Sequence, residues 1–352
     1  MNSKKYNYSV IIGRFSPPHH GHQDLIDYAL SISDKVIILI GSANRPRTIK
    51  NPFTWTERAL MIQSMYDYHS TKSLILAQLN DYTYNDQKWA MEVQNTIDNL
   101  IEADGKDPDN ATICLVGNIK DESSWYLSIF PQFPLEGNGF SRQVKDEVLS
   151  ASHVRQILFE SETNHTLEKL QPYCAPDVIN YLAEFMTTPD FGRLVQEHHY
   201  IKNYKKAWGK APYPVIFVTC DSLVVQSGHI LVIRRRAEPG KNLLALPGGF
   251  LNQNELIVDG MLRELHEETK IKVPIPVLKG SIKQTKVYDA VDRSSRGRTI
   301  THAFLIELPS GTLPRVKGSD DAAKAFFVPL KDLKCEDFFE DHYSIIQDML
   351  GI

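Results

Sequence analysis

Val10-Ile11-Ile12-Gly13-Arg14-Phe15-Ser16-Pro17-Pro18-His19-His20-Gly21-His22 is the stretch that decides how the first half of the chain folds. Val10 to Ile12 is a short, continuously apolar run of the buried-strand type, and Leu25, Ile26, Tyr28, Ala29 and Leu30 then recur at helical spacing. The turn between them therefore leads from a strand into a helix that starts at about Gly21. Val36 to Ile40 supplies the next strand, so residues 10–40 form one βαβ unit of a parallel sheet. Such a turn lies at the carboxyl end of a strand, where open α/β sheets bind their ligands. It is not a GxGxxG turn, and the chain has no GxxxxGK[ST] loop, so dinucleotide cradling and Walker-type phosphate binding lack their sequence support. What it offers is a helix N-terminus whose unpaired N–H groups favour an anion, with His19, His22 and Arg14 as further donors. The rival reading, a metal site or a surface histidine cluster, lacks a Cys or carboxylate ligand pattern nearby.

Farther along, Thr112–Val116 reads as another buried strand, and amphipathic helices are expected near 55–67, 87–101, 152–160 and 176–186. A second anion signal lies in Leu149-Ser150-Ala151-Ser152-His153-Val154-Arg155. Ser150 or Ser152 caps the next helix, which leaves Arg155 near its first turn, where the helix dipole disfavours a cation unless an anion is bound. The alternative is an ordinary capped helix with a solvent-facing arginine. The segment Thr187–Pro214 then turns polar, carries Lys202, Lys205 and Lys206 and has two prolines near its end (APYP), so a partly helical linker is read at 187–211 between domains at 1–186 and 212–352. Beyond it the pattern changes to a hairpin, with Val215–Thr219 and Ile230–Arg234 around a Ser227-Gly228 turn. A helix over Leu256–Lys270, strands near 277–287 and 299–308 and a C-terminal helix complete the reading. The whole is an α/β chain, with a doubly wound parallel sheet first and a mixed sheet second.

Composition agrees. At 352 residues, 42% hydrophobic and 23% charged, the chain is long enough for two domains, each with its own core. Lys+Arg 39 against Asp+Glu 43 gives a net charge of −4, which supplies no global basic field for a nucleic-acid backbone. Cys114, Cys174, Cys220 and Cys335 are scattered without a CxxC pair, the N-terminus has no secretory apolar region, and the best apolar run, Val36–Ile40, is too short to span a bilayer. A cytosolic protein with no membrane or nucleic-acid partner is expected.

The second chemical signal is acidic. Gly248-Gly249-Phe250-Leu251-Asn252-Gln253-Asn254-Glu255 leads into a helix on which Glu264, Glu267 and Glu268 stand at i, i+3 and i+4, facing one direction. Like charges so spaced repel by roughly 0.2–0.5 kcal/mol per pair, and Arg263 offsets part of this through Glu267. A hard divalent cation, Mg²⁺ or Mn²⁺, removes the conflict, because carboxylate oxygens are its preferred ligands. Downstream, Tyr288 to Thr299 carries Arg293, Arg296 and Arg298, which read either as a grip on a diphosphate or ribose phosphate or as a solvated basic loop.

His19-His20-Gly21-His22 matches the HxGH signature of the nucleotidylyltransferase superfamily, and Ser150-Ala151-Ser152-His153-Val154-Arg155, led by Leu149, resembles its ISxTxxR signature with two mild replacements. Asn51-Pro52-Phe53 with Glu57-Arg58, Asp81-Tyr82-Thr83-Tyr84-Asn85 with Trp89, and Gly117-Asn118-Ile119-Lys120-Asp121 narrow the resemblance to archaeal-type nicotinamide mononucleotide (NMN) adenylyltransferases. The run from Gly249 through Glu255 and Arg263 to Glu268 looks like the Nudix box GX5EX7REUXEEXGU, with Lys270 in place of the late glycine. Both modules in this order resemble the bifunctional NMN adenylyltransferase/Nudix hydrolase proteins of bacteria. The resemblance implies a Rossmann-like domain and a Nudix α/β/α sandwich, transfer of adenylate from ATP to NMN giving NAD and pyrophosphate, and hydrolysis of ADP-ribose to AMP and ribose 5-phosphate. It further implies ATP on Gly13, Arg14, Phe15, His19, His22, Gly117, Lys120, Asp121, Ser150, Ser152 and Arg155, and NMN on Tyr84, Asn85 and Trp89, the last with a core position as its alternative. On the Nudix side it implies a metal on Gly249, Glu264, Glu267 and Glu268, ADP-ribose on Arg293, Arg296 and Arg298, and a structural role for Glu255 and Arg263. The hydrolytic base is left open between a helix glutamate and Asp320 or Asp321. The rivals are another phosphate acceptor at the first site, and a Nudix module that cuts other nucleoside diphosphates or only senses ADP-ribose or NAD.

Overall fold

The computed structural model describes the chain except residues 1–3, 120–121, 138–142, 145–146, 161–164 and 320, with the backbone alone at 122–123, 144 and 147–148. It divides into two compact units, Met1–Val195 and Gln196–Ile352.

In the first unit, β1 (Tyr6–Gly13), β2 (Ser33–Ile40), β3 (Leu74–Gln78), β4 (Ile113–Val116) and β5 (Leu135–Glu136) form one sheet in the order β3-β2-β1-β4-β5. Every pairing is parallel. The helices α1 (His20–Ile32), α2 (Trp55–Ser64), α3 (Asp86–Ala103), α4 (Ala151–Glu160) and α5 (Pro176–Phe185) start and stop within a few residues of the sequence expectation. The central strands read as unbroken apolar runs because both faces are covered. On one face Tyr6, Ile11 and Ile38 pack with Ile26 of α1 and Ile62 of α2. On the other, Tyr8, Val10 and Ile37 pack with Val93, Ile97 and Ile101 of α3. The doubly wound expectation holds.

The stretch read as a partly helical linker carries one long helix, α6 (Pro189–Trp208), and the division between the units falls inside it. Its polar surface was what suggested a linker, yet Leu194, Glu197 and Ile201 are buried.

In the second unit β6 (Phe217–Gln226), β7 (His229–Arg235), β8 (Leu244–Ala245), β9 (Gly248–Phe250), β10 (Ile282–Tyr288), β11 (Thr299–Glu307) and β12 (Ala322–Pro329) make a seven-stranded mixed sheet in the order β8-β7-β6-β11-β10, with β9 on β6 and β12 on β7. Only β11 with β6 is parallel. Ser227 and Gly228 take φ of 48° and 74° in the β6–β7 turn, the left-handed pair that a tight hairpin requires. α7 (Ile257–Thr269) buries Met261, Leu262 and Leu265 against Cys220, Val224 and Phe304. The strand expected from 277 begins only at Ile282, because Pro274 and Pro276 open a short helix, α8 (Ile275–Gly280). β12 was not anticipated, since its residues do not alternate clearly in polarity. The last helix is α9 (His342–Leu350). Lys270, in the place of the usual glycine, closes α7 in the left-handed conformation at φ 47°. All four cysteines are buried and unlinked, and no helix among the described residues is long and apolar enough to cross a membrane.

One side chain holds the functional end of the first sheet together. Arg58 of α2 is 1% exposed, and its guanidinium donates to the carbonyls of Arg14 at 2.7 Å, Gly41 at 2.6 Å, Ser42 at 3.3 Å and Thr54 at 3.2 Å. Burial lowers its pKa to about 10, which still leaves it charged at neutrality. Replacing it by an apolar side chain strands these buried carbonyls. Arg58→Met is expected to destabilise the first unit by about 3 kcal/mol in denaturant titration, because each lost charge-assisted bond leaves an unsatisfied acceptor.

Candidate functional site

At the end of β1, His19 is the N-cap of α1, with φ −142° and ψ 170°. The rings of His19 and His22 stack 3.7 Å apart. His22 Nδ1 accepts the His19 backbone N–H at 3.2 Å, so a neutral His22 carries its proton on Nε2, as a donor directed away from that bond. Gly21 permits the stack, because a Cβ there would lie 3.2 Å from the His19 ring. Phe15, buried at φ 50°, packs its ring 4.7 Å from that of His22. Gly13 closes β1, and its carbonyl accepts the Gly41 N–H at 2.9 Å.

α4 brings the second anion signal to this turn. Ser150 is the cap, its hydroxyl accepting the His153 N–H at 3.2 Å. Ser152 instead accepts from Arg155 at 3.0 Å, while the other arm of Arg155 donates to the Ser16 carbonyl at 2.8 Å. Arg155 is 9% exposed, and burial together with the nearby charge of Arg14 lowers its pKa to about 10. Among the described residues no carboxylate pairs with it. A buried cation held only by neutral oxygens is incomplete without an anion.

The residues expected around NMN follow β3, two strands from β1 in the sheet. Asn85 caps α3, its side-chain oxygen accepting the Lys88 N–H at 2.8 Å, directly after Tyr84. Trp89 is half-buried, with ring centroids 5.7 Å from Trp125, 6.0 Å from Tyr126 and 6.2 Å from Phe130. One side of it therefore belongs to the core. Gly117, at the end of β4, packs on Leu127, where a Cβ would come to 2.7 Å. Lys120 and Asp121 lie outside the described residues, as does Asp320.

The second site is a cavity of about 470 Å³ lined by the glycine turn, the acidic helix and several arginines. Arg263 holds three carboxylates at once: Glu255 through Nε at 2.9 Å and Nη2 at 2.7 Å, Glu264 at 2.8 Å and Glu267 at 2.9 Å. Glu255 also accepts the Asn252 N–H at 2.7 Å, which fixes the loop as expected. Glu268 is 4% exposed and accepts the Gly248 N–H at 2.9 Å. Burial, with Glu264 adding to it, pushes its pKa up to about 8. A Cβ on Gly249 would stand 2.7 Å from the Glu264 carboxyl group, so the acid lies against bare backbone. Among the described residues no group of three or more His, Cys, Asp or Glu is arranged to hold a metal ion, since Glu264 and Glu267 turn to Arg263. The donor set nevertheless fits a hard divalent cation: hard oxygens converge on one cavity, one of them cradled on a glycine backbone.

The three arginines of the β10–β11 loop separate. Arg293, 7% exposed, lines the cavity as well and forms a two-pronged ion pair with Asp341 at 2.8 and 2.9 Å. Arg298 is bound to Asp289 of its own loop and is not among the cavity-lining residues. Arg296 lines the cavity with its guanidinium 5.1 Å above the Phe250 ring. Sequence reasoning missed Arg235, Arg236, Asp221, Glu340 and His342, which also line it. Their partners are remote: Thr301 donates to Asp221 at 2.5 Å, Ser295 to Glu340 at 2.8 Å, and the Leu246 N–H to His342 Nδ1 at 3.1 Å. Asp321 lines the cavity too.

Comparison with known proteins agrees with two modules. A cytidylyltransferase-like family model matches residues 10–157 and a NUDIX domain model residues 217–349. A bifunctional NMN adenylyltransferase/ADP ribose pyrophosphatase of Francisella tularensis, solved with AMP and a manganese ion, superimposes with a TM-score of 0.87 at 35% identity, covering 98% of this chain and 99% of that one. A nicotinamide/nicotinic acid mononucleotide adenylyltransferase of Acinetobacter baylyi is 32% identical over 194 residues, 55% of this chain and 94% of the relative. An ADP-ribose pyrophosphatase of Methanocaldococcus jannaschii is 35% identical over 133 residues, 38% of this chain and 72% of the relative.

His342 generates a pH prediction. Burial holds its pKa below the ordinary imidazole value of 6.5, and the Leu246 N–H needs Nδ1 unprotonated. The unfolded chain therefore takes up this proton first, so the stabilisation is complete above 6.5 and is lost as pH falls below it. Chemical denaturation of the second unit between pH 7 and 5 is expected to show a shallower pH slope in His342→Gln, whose amide oxygen still accepts the Leu246 N–H, than in the native chain.

Proposed function

This chain belongs to the family of bifunctional NMN adenylyltransferase/ADP-ribose pyrophosphatases, and on that premise we propose which residues carry each activity. The first unit transfers adenylate from ATP to NMN, releasing pyrophosphate and giving NAD. The second hydrolyses ADP-ribose to AMP and ribose 5-phosphate.

Adenylyl transfer needs no general base, because the attacking 5′-phosphate of NMN is already ionised at neutral pH. The barrier is the charge that gathers on the α-phosphate and the departing pyrophosphate, and the catalyst's task is to position and neutralise it. His19 and His22 at the N-terminus of α1, with Arg14 and Arg155, take the triphosphate, and Gly13, Phe15, Gly117, Ser150 and Ser152 shape its surroundings. Trp89 presents its open side to the cationic nicotinamide ring, beside Tyr84 and Asn85. The observation that carries this reading is the buried Arg155, held by the Ser16 carbonyl and the Ser152 hydroxyl but by no acid among the described residues.

Diphosphate hydrolysis has a different need, because water must lose a proton as it attacks. Glu264 and Glu268, with Glu267 and the Gly249 carbonyl, would hold the divalent ion, Mg²⁺ in this reading. Such an ion supplies an acidified water and neutralises phosphate oxygens. The chain's own residues do the rest: Arg263 and Glu255 fix the acidic helix against the loop, and Arg296 takes the anionic substrate. Arg293 supports that loop through Asp341. What carries this reading is the convergence of Glu264, Glu267 and Glu268 on a cavity that arginines also line. A cytosolic location is part of the proposal, supported by four buried, unlinked cysteines.

Both activities can be read in one full-length preparation. His19→Ala or Arg155→Ala is expected to lower NAD formation about a hundredfold while AMP release from ADP-ribose stays within about twofold. Glu264→Gln with Glu268→Gln is expected to do the converse. Loss of both activities in either folded variant defeats the division of labour.

A further inference from the structure

The segment that joins β3 to α3 carries Tyr84 and Asn85 and leads into Trp89, yet residues 79–85 lie outside helix and strand. Thr83 and Asn85 are exposed, so packing does little to fix its tip. Polar ties do that work, and they reach the segment from two sides. From α3, Glu92 accepts the Asn80 N–H at 3.1 Å. From the loop after β2, the side-chain oxygen of Asn44 accepts the Asp81 N–H at 3.2 Å. Arg45, the next residue of that loop, reaches farther along: its Nε donates to Asp81 Oδ2 at 3.1 Å and its Nη2 to Thr83 Oγ1 at 2.5 Å. One planar group thus bridges both neighbours of Tyr82, whose carbonyl accepts the Asn85 N–H at 3.0 Å and closes the turn. Arg45 is itself anchored, since its N–H donates at 3.4 Å to the Ser42 carbonyl that Arg58 also holds. A continuous series of bonds therefore runs from the Arg14 carbonyl through Arg58, Ser42 and Arg45 to Asp81 and Thr83.

We propose that Arg45 is a positioning residue for the acceptor nucleotide, acting through Asp81 and Thr83 to hold the 81–85 segment in its binding shape. This rests on the reading of the first unit as an NMN adenylyltransferase, in which Tyr84, Asn85 and Trp89 take NMN. Attack on the α-phosphate requires the acceptor to be set against the triphosphate, and Arg45 links the loop on the acceptor side to the anchor on the triphosphate side. Its fork geometry suits the task, because two oxygens on two residues are held by one rigid plane. The Arg45 side chain is 11% exposed and that of Asp81 32%, so the pair is open enough to water to add little to global stability. Its effect on the segment's shape is then separable from folding.

Steady-state NAD formation by the full chain tests the idea. Arg45→Met is expected to raise KM for NMN about tenfold with kcat within about twofold, because a loop that is correctly shaped only part of the time lowers apparent affinity by that fraction. KM for ATP is expected to stay within about twofold, a split that general loosening of the domain does not produce. Arg45→Lys neutralises Asp81 without spanning both oxygens and is expected to recover part of the loss. Asp81→Asn alone is expected to raise KM for NMN about threefold, and combined with Arg45→Met to add nothing to the arginine variant, because the two act as one unit. If Arg45→Met fails to fold, Thr83→Val removes one of the two bonds at nearly constant shape, with a rise of about threefold expected. An unchanged KM for NMN in the folded variants, or an equal rise for ATP, overturns the proposal. Multiplied effects in the double variant also overturn it, since they place Arg45 on the nucleotide itself. If the native chain forms no NAD from NMN and ATP, it is the transferase reading that fails.

Discussion

Charge of one sign crowded at the end of a sheet is the constraint on which both sites depend. In the first unit His19, His22, Arg14 and Arg155 gather around a helix N-terminus that is itself positive, and in the second Glu264, Glu267 and Glu268 gather on one face of α7. Neither arrangement is stable on its own account. Neutral or opposite groups hold each in place: the Ser16 carbonyl and Ser152 hydroxyl for Arg155, the Gly248 N–H for Glu268, and the guanidinium of Arg263 for Glu255, Glu264 and Glu267. In the proposed reading a polyphosphate completes the first arrangement and a divalent ion the second.

That logic explains which parts were legible in the amino-acid sequence. The HxGH turn and the Glu264–Glu268 face could be read because their chemistry imposes spacing within a few residues of chain. The helix starts near 55, 87, 152 and 176 were legible for the same reason, since capping and periodicity are local. Contacts between distant segments were hidden. The ion pair of Arg293 could not be read, because its partner Asp341 lies 48 residues farther on. His342, Arg235 and Asp221 carry no local motif, and only the folding of β6, β7 and α9 brings them to one cavity. The full length of α6 was not legible for a related reason: a helix with polar residues on most of its surface has no clear apolar stripe to betray it.

The two units reach similar ends by different backbone means. The N-terminal site is built where parallel strands end and helix N-termini begin, so backbone N–H groups provide part of its positive field. The C-terminal site is built on a glycine turn and a single helix, with β9 laid on β6 so that Gly248 and Gly249 face Asp221 and Cys220. Side chains there supply nearly all the charge. The substituted helix end at Lys270 leaves the acids where they are, because the left-handed conformation that glycine ordinarily provides is adopted by lysine instead.

Arg58 ties the carbonyls of Arg14, Gly41 and Ser42 to a single planar group. The loops after β1 and β2 are thus tied to each other through one shared anchor. If nucleotide enters against Arg14 as proposed, it meets on that side a backbone braced by one buried guanidinium.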